Sequence, residues 1–151
     1  MKQLIYHFVN DDELLRITNK IREYEKLTAG EICVSIREKK HFMQRRMQVD
    51  ELAKREFVRL GIASTRDKTG ILIYILLAER QFHILADSAI NDKVSENTWH
   101  KIKDVMQEFF ANGKFARGIL YGVEEIGKIL TVHFPVKPDD TNEIPDRVVL
   151  S

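Results

Sequence analysis

An uninterrupted run of eight apolar residues, Ile71 to Ala78, is the feature of this sequence that most restricts its fold. The run is too short for a membrane-spanning helix, which needs about 20 apolar residues, and its β-branched content favours a strand. A strand with apolar side chains on both faces must be covered on both faces. The run therefore predicts a central strand that has a layer of helices on each side.

The segments around this run supply partner strands and covering helices. Alternating side chains predict a strand over residues 31–37 and another over 81–86, the latter joined to the central strand by the two-residue turn Glu79-Arg80. Apolar residues at helical spacing predict helices over residues 11–26, 43–60, 96–112 and 115–132. The resulting order, α-β-α-β-β-α-α, predicts a three-layer α/β/α sandwich with a small mixed β-sheet.

The length of the chain fits one domain followed by a short tail. A chain of 151 residues is close to the commonest domain size. We assign residues 1–134 to a single α/β/α domain. Residues 135–151 contain all three prolines and a polar run, and we expect them to form a non-helical tail on the surface.

Charge and cysteine content restrict the partners and the compartment. Lys plus Arg number 24 against 23 Asp plus Glu, so the formal charge is +1 and no global field draws the protein to nucleic acid or to an anionic bilayer, which leaves only local charged patches. The N-terminal residues lack a signal-peptide pattern, and no segment is long enough for membrane insertion. The single Cys33 cannot form an intramolecular disulfide. We therefore expect a cytoplasmic protein that binds no nucleic acid.

Several familiar enzyme motifs are absent from the sequence. The glycines match neither the dinucleotide fingerprint nor the phosphate-binding loop of nucleoside triphosphatases. No serine lies in G-x-S-x-G, and the five histidines form no H-E-x-x-H pattern. These absences argue against the corresponding nucleotide-binding, serine hydrolase and zinc hydrolase classes.

The predicted topology gathers carboxylates at one edge of the sheet. Parallel strands at 31–37 and 71–78 begin at the same edge, and the antiparallel third strand ends there. The acidic residues at this edge are Glu31, Asp67, Asp87 and Asp92. Converging carboxylates suit a hard cation such as Ca²⁺ or Mg²⁺. The alternative is that each acts locally, as a strand-flanking residue, in an Asx turn or as a solvated loop charge.

A basic segment lies at the opposite edge. Its cations are Arg37, Lys39, Lys40, Arg45 and Arg46, with His41 and Phe42 between them and Glu38 as the acidic neighbour. One interpretation is a site for phosphate or an acidic partner, because the segment lies just before a helix N-terminus. The other is a solvated run of loop charges.

Three stretches of the sequence resemble the TPM-domain family. They read TAGEICVSI (28–36), DKTGILIYI (67–75) and ERQFHILAD (79–87), and the likeness extends from residue 11 to about residue 134. The family includes thylakoid lumen proteins described as phosphatases, and the C-terminal segment is similar to a soluble bacterial subgroup. The resemblance implies an α/β/α sandwich and divalent metal binding, particularly of Ca²⁺. It assigns that role to Asp67 and Asp87, followed by Glu31 and Asp92.

Two functions are consistent with these observations. The first is a noncatalytic module that binds a divalent metal, Ca²⁺ or alternatively Mg²⁺, or a protein partner. The second is a metal-dependent phosphatase acting on phosphomonoesters, in which the cation polarises the phosphate and activates water. We favour the first, because a likeness of fold does not establish chemistry and no nucleophile or base is evident beside Asp67 and Asp87.

Overall fold

A four-stranded mixed sheet forms the middle of the protein. The structure is a computed structural model, and it describes residues 3–138 and 147–151. Its strands are β1 (Glu31–Arg37), β2 (Gly70–Leu76), β3 (Gln81–Ala86) and β4 (Val148–Leu150). The spatial order is β3-β2-β1-β4, with β1 parallel to both β2 and β4 and with β2 antiparallel to β3. The predicted parallel pair and hairpin are therefore confirmed.

Helices cover both faces of this sheet. They are α1 (Gln3–Phe8), α2 (Asp11–Glu25), α3 (Val49–Arg59), α4 (Ser88–Asn91), α5 (Glu96–Ala111) and α6 (Phe115–His133). The apolar faces of α2, α5 and α6 pack together with the sheet into one hydrophobic core, and α3 covers the other face. This arrangement confirms the three-layer α/β/α sandwich. Within the described residues, no helix is long and apolar enough to cross a membrane.

Strand β2 is buried on both faces, as its apolar run predicts. Its side chains alternate between the two cores: Ile71, Ile73 and Ile75 belong to the larger one and Leu72, Tyr74 and Leu76 to the one under α3. Each of these six residues is at most 3% exposed. Burial of one such side chain contributes roughly 1.5–3 kcal/mol, so this strand anchors both layers.

Close packing explains why α6 contains glycines. A Cβ atom added to Gly122 would lie 2.6 Å from Sδ of Met106 on α5. One added to Gly127 would overlap the ring of Tyr24 on α2. The cost of glycine within a helix, about 1 kcal/mol relative to alanine, is thus offset by close approach of α6 to both neighbouring helices.

Two boundaries differ from the sequence-based expectation. Helix α3 begins at Val49 rather than Met43, because residues 42–44 form a 3₁₀ turn and the buried stripe of α3 starts only at Leu52. Strand β2 ends at Leu76, and Leu77–Glu79 form another 3₁₀ turn before Arg80, which has a φ of 52°. The β2–β3 connection is therefore longer than a two-residue turn.

Three short elements were not predicted from the sequence. Helix α1 precedes α2, and helix α4 follows β3. Strand β4 extends the sheet beyond β1 with a register that places Val149 opposite Ser35. Strand β4 lies in the segment expected to form only a surface tail. The part of that expectation that concerns residues 139–146 falls outside the described residues.

Candidate functional site

The strand register places the predicted acidic positions at one edge of the sheet, which we name the carboxylate rim. Glu31 of β1 lies opposite Gly70 of β2, and Ile71 lies opposite Ala86 at the end of β3. Asp67 precedes Gly70 by three residues, and Asp87 follows Ala86 directly. The topology deduced from the sequence therefore gives the correct edge for these residues.

Asp87 is held firmly at this rim by its backbone and by one carboxylate oxygen. Its amide donates to the carbonyl oxygen of Gly70 at 2.9 Å, and its Oδ1 accepts from the amide of Ser88 at 2.7 Å, which caps α4. Its other oxygen, Oδ2, is buried and has no hydrogen-bond partner within the described residues. Such an atom is costly unless a cation or an ordered water satisfies it.

Asp67 is partly exposed and already has a cationic partner. Arg66 donates to both of its oxygens, from Nε to Oδ1 at 3.3 Å and from Nη2 to Oδ2 at 3.1 Å. The hydrogen bond from Arg66, together with the charges of Arg66 and Lys137, lowers the pKa of Asp67 below its usual value. The carboxylate is thus ionised at neutral pH, and a metal ion would have to displace an exposed guanidinium to reach it.

Glu31 and Asp92 have contrasting environments. Glu31 is only 6% exposed, and its amide donates to the carbonyl oxygen of Thr69 at 3.1 Å. Asp92 is exposed at the C-terminal end of α4. The rim therefore contains a buried carboxyl group, a half-buried one, one paired with arginine and one on the surface.

These four residues do not assemble into a closed ligand set. Across residues 3–138 and 147–151, no group of three or more His, Cys, Asp or Glu side chains is arranged to hold a metal ion. The fit to a divalent cation rests on Asp87, whose Oδ2 is a buried oxygen acceptor, and on Asp67 once Arg66 has moved. The metal roles of all four residues remain predictions.

A cleft of about 370 Å³ opens beside Asp67. Its basic lining residues are Lys93, His133 and Lys137, and Asp67 is its acidic one; Thr69 also lines it. Because cations outnumber carboxylates there, this cleft suits an anionic group better than a second metal ion.

A buried polar cluster under α3 was missed by the sequence analysis. The hydroxyl of Ser35 donates to Oε2 of Glu56 at 2.5 Å, and Arg59 donates to Oε1 at 2.6 Å and to Oε2 at 3.0 Å. Burial, the largest influence, would raise the pKa of Glu56, but the hydrogen bonds from Arg59 and Ser35 outweigh it and lower this pKa. The sequence contained one sign of this cluster, since Glu56 lies directly before Phe57 of the apolar stripe of α3.

The basic segment lies at the opposite edge of the sheet. This edge, which we name the basic rim, contains Arg37 at the end of β1, Leu76 opposite it on β2, and the start of β3. Lys40 forms an ion pair with Glu79 at 3.1 Å, which joins the segment to the β2–β3 connection. The prediction that acidic and basic groups occupy opposite edges is confirmed.

Comparisons with known proteins agree with this fold. The family model described as the TPM domain matches residues 6–129. The chain is similar to the NMR structure of the BA42 protein from the psychrophilic bacterium Bizionia argentinensis, with 32% identity and a TM-score of 0.84, covering 95% of this chain and 96% of that one. It shares its fold with the N-terminal domain of a protein from P. gingivalis, at 15% identity and a TM-score of 0.69, covering 84% and 79%. No curated protein shows significant similarity.

Proposed function

The chain belongs to the TPM-domain family, and from this premise we propose that it is a noncatalytic module that binds a divalent cation, Ca²⁺ in the first place, at the carboxylate rim. Asp87 would supply the main ligand and Asp67 the second. The ion would order the rim for a protein partner. Mg²⁺ is the alternative ion, since both are hard cations that prefer oxygen ligands.

The single Cys33 favours a reducing compartment, and we therefore propose that the protein is cytoplasmic.

The observation that carries this proposal is the buried Oδ2 of Asp87, which has no hydrogen-bond partner within the described residues. Its companion Oδ1 is fixed by the amide of Ser88, so the carboxylate is already oriented. An oriented acceptor needs less ordering on binding than a mobile one. A bound cation would also offset the cost of leaving this oxygen unsatisfied.

The ion would act through stability and rigidity, without a chemical step. A ligand that binds only the folded state stabilises it by about 2.7 kcal/mol when its concentration is a hundred times its dissociation constant. For a chain of this size, such a gain raises the melting temperature by roughly 5–10 °C.

A metal titration followed by amide NMR and by thermal unfolding tests the proposal. We expect CaCl₂ to shift the amide signals of residues 67–70 and 87–88 and to raise the melting temperature. Asp87→Asn keeps the helix cap but removes the charge, and it should weaken binding by about tenfold or more. Asp104→Asn, which changes an exposed carboxylate on α5, is the matched control.

Arg66 provides a second, opposite readout. Because Arg66 competes for Asp67, Arg66→Gln should increase the affinity for Ca²⁺ if Asp67 is a ligand. Signals that shift elsewhere, or a melting temperature unaffected by Ca²⁺ and Mg²⁺ alike, would refute metal binding at this rim.

The cleft beside Asp67 supports one alternative function, a metal-dependent phosphatase acting on phosphomonoesters. Lys93, His133 and Lys137 line it and could receive a phosphate dianion. Hydrolysis of p-nitrophenyl phosphate should be measured with and without Ca²⁺ or Mg²⁺. Metal-dependent turnover that is lost in both Asp67→Ala and Asp87→Ala would establish this alternative in place of the noncatalytic module.

A further inference from the structure

The loop at residues 39–46, which we name the basic loop, combines exposed apolar and exposed cationic side chains. Phe42 is 75% exposed and Met43 is 86% exposed. Lys39, Arg45 and Arg46 flank this pair and are themselves exposed. The loop contains no acidic residue. Exposed apolar surface that is rimmed by polar residues is typical of protein or membrane interaction sites.

The basic loop has a defined shape. Phe42–Gln44 form a 3₁₀ turn, and Nη1 of Arg45 donates to the carbonyl oxygen of Phe42 at 3.2 Å. The guanidinium of Arg45 also lies 4.3 Å from the centre of the Phe42 ring. The ion pair between Lys40 and Glu79 fastens the loop to the β2–β3 connection. Little ordering is therefore needed when it meets a partner.

Helix α1 adds apolar surface at the same rim. The amide of Ile5 donates to Oε2 of Glu38 at 2.9 Å, which places α1 beside the base of the basic loop. Tyr6 and Phe8 of this helix are 52% and 38% exposed. Aromatic side chains beside cations are typical of proteins that lie in a membrane interface.

We propose that the basic loop docks the protein onto an anionic lipid surface, with Phe42 and Met43 entering the headgroup region and Lys39, Arg45 and Arg46 contacting phosphates. Charge complementarity selects the anionic surface, because three exposed cations lie within a Debye length of it once the loop is in contact. The exposure of Phe42 and Met43 favours a bilayer over a protein. A bilayer accepts projecting apolar side chains without a preformed pocket, whereas a protein partner would have to supply one.

This proposal goes beyond the proposed metal function and is independent of it. The basic loop and the carboxylate rim lie at opposite edges of the sheet. Vesicle binding is therefore measured in EDTA, which removes any metal ion from the carboxylate rim, so its outcome is separate from that of the Ca²⁺ titration. The proposal describes docking on a surface and requires no spanning helix.

Co-sedimentation with vesicles tests the proposal directly. We expect the protein to bind vesicles that contain about 30% phosphatidylglycerol in phosphatidylcholine, and to remain in solution with phosphatidylcholine alone. Raising the salt from about 0.05 to 0.5 M should weaken the binding. The variants Phe42→Ser/Met43→Ser and Arg45→Gln/Arg46→Gln should each reduce the partition coefficient by about tenfold or more.

Two control variants change the opposite end of the molecule. Leu27→Ser/Val132→Ser removes two apolar side chains that are 52% and 76% exposed. Arg22→Gln/Lys26→Gln removes two exposed cations at the C-terminal end of α2 and gives the same change in net charge as the double arginine variant. Both controls should bind anionic vesicles as the unmodified protein does.

A fluorescent variant reports on insertion itself. Phe42→Trp should show a blue shift of its emission with anionic vesicles, and Val132→Trp should show none. Equal binding to phosphatidylcholine, or full binding by the loop variants, would overturn the proposal. So would binding of a poly-glutamate peptide through the loop without any binding to vesicles, which would identify an acidic protein as the partner.

Discussion

Glu56 is a carboxylate in a layer that is otherwise almost entirely apolar. It is 4% exposed, whereas its partner Arg59 is 57% exposed along the side chain, so the carboxylate is desolvated and the guanidinium stays largely in water. Glu56→Gln removes the charge and replaces one acceptor oxygen by an NH₂ donor, so the Ser35 hydroxyl and Arg59 cannot keep all their hydrogen bonds to this side chain. We expect Glu56→Gln to lower the free energy of unfolding by about 1–3 kcal/mol at pH 7, as measured by urea denaturation.

The same residue should make stability depend on pH. The hydrogen bonds from Arg59 and Ser35 overcome the effect of burial and lower the pKa of Glu56 in the folded state. Its contribution is therefore complete above the unfolded pKa, about 4.3, and is lost as the pH falls through the lower folded pKa. The difference between Glu56→Gln and the unmodified protein should shrink below about pH 4. A difference that stays constant would contradict this assignment, and Glu108→Gln on the surface of α5 is the control.

The contacts of each side chain were harder to predict from the sequence than the end of the sheet at which the residue lies. The topology put Glu31, Asp67 and Asp87 at the correct edge because strand direction determines it. It could not show that Arg66 binds Asp67, or that Oδ1 of Asp87 caps α4, because those contacts depend on side-chain rotamers. Arg66 and the Ser88 amide thus occupy oxygens of Asp67 and Asp87 that the four-carboxylate hypothesis assigned to a metal ion.

Strand β4 is the outermost strand of the sheet on the β1 side, and it has only three residues. The amide of Val34 donates to the carbonyl oxygen of Arg147 at 2.8 Å, and that of Glu38 donates to Ser151 at 2.8 Å. Arg147 also forms an ion pair with Glu25 of α2 at 2.8 Å. Deletion of residues 147–151 should therefore expose the outer side of β1.

Hydrogen exchange followed by NMR measures this effect within one strand. In the deletion variant, we expect the amides of Val34 and Glu38 to lose protection by about tenfold or more. The amide of Glu31, which donates to the carbonyl oxygen of Thr69 on the other side of β1, is the internal control. Equal loss at all three amides would indicate global destabilisation in place of a local edge effect.

Elements with a long periodic pattern were predicted well, and short ones were not. The continuous, β-branched apolar run of β2 and the helical stripe of α6 each extend over enough residues to identify the element. Strand β4 pairs with a strand more than a hundred positions earlier in the chain, and three apolar residues after a polar run give no local sign of that pairing. Helix α1, with six residues, is likewise too short for periodicity to identify.

The two helical layers of the molecule differ in size. One face of the sheet is covered by α2, α5 and α6, which contain 15, 16 and 19 residues, and the other by α3, which contains 11. The core under α3 is correspondingly smaller and includes the polar cluster around Glu56. Less apolar area is buried there, so less free energy holds α3 in place.

Native-state hydrogen exchange at increasing urea should therefore separate the layers. We expect the amides of α3 to exchange through a partial opening of lower free energy than the global unfolding that exposes α6. Glu56→Gln should lower the opening free energy of α3 by more than that of α6, since the hydrogen bond from Ser35 to Glu56 connects β1 with α3. Glu108→Gln should change neither. If α3 and α6 exchanged only through the same global unfolding in every variant, the molecule would be one cooperative unit and the polar cluster would stabilise both layers alike.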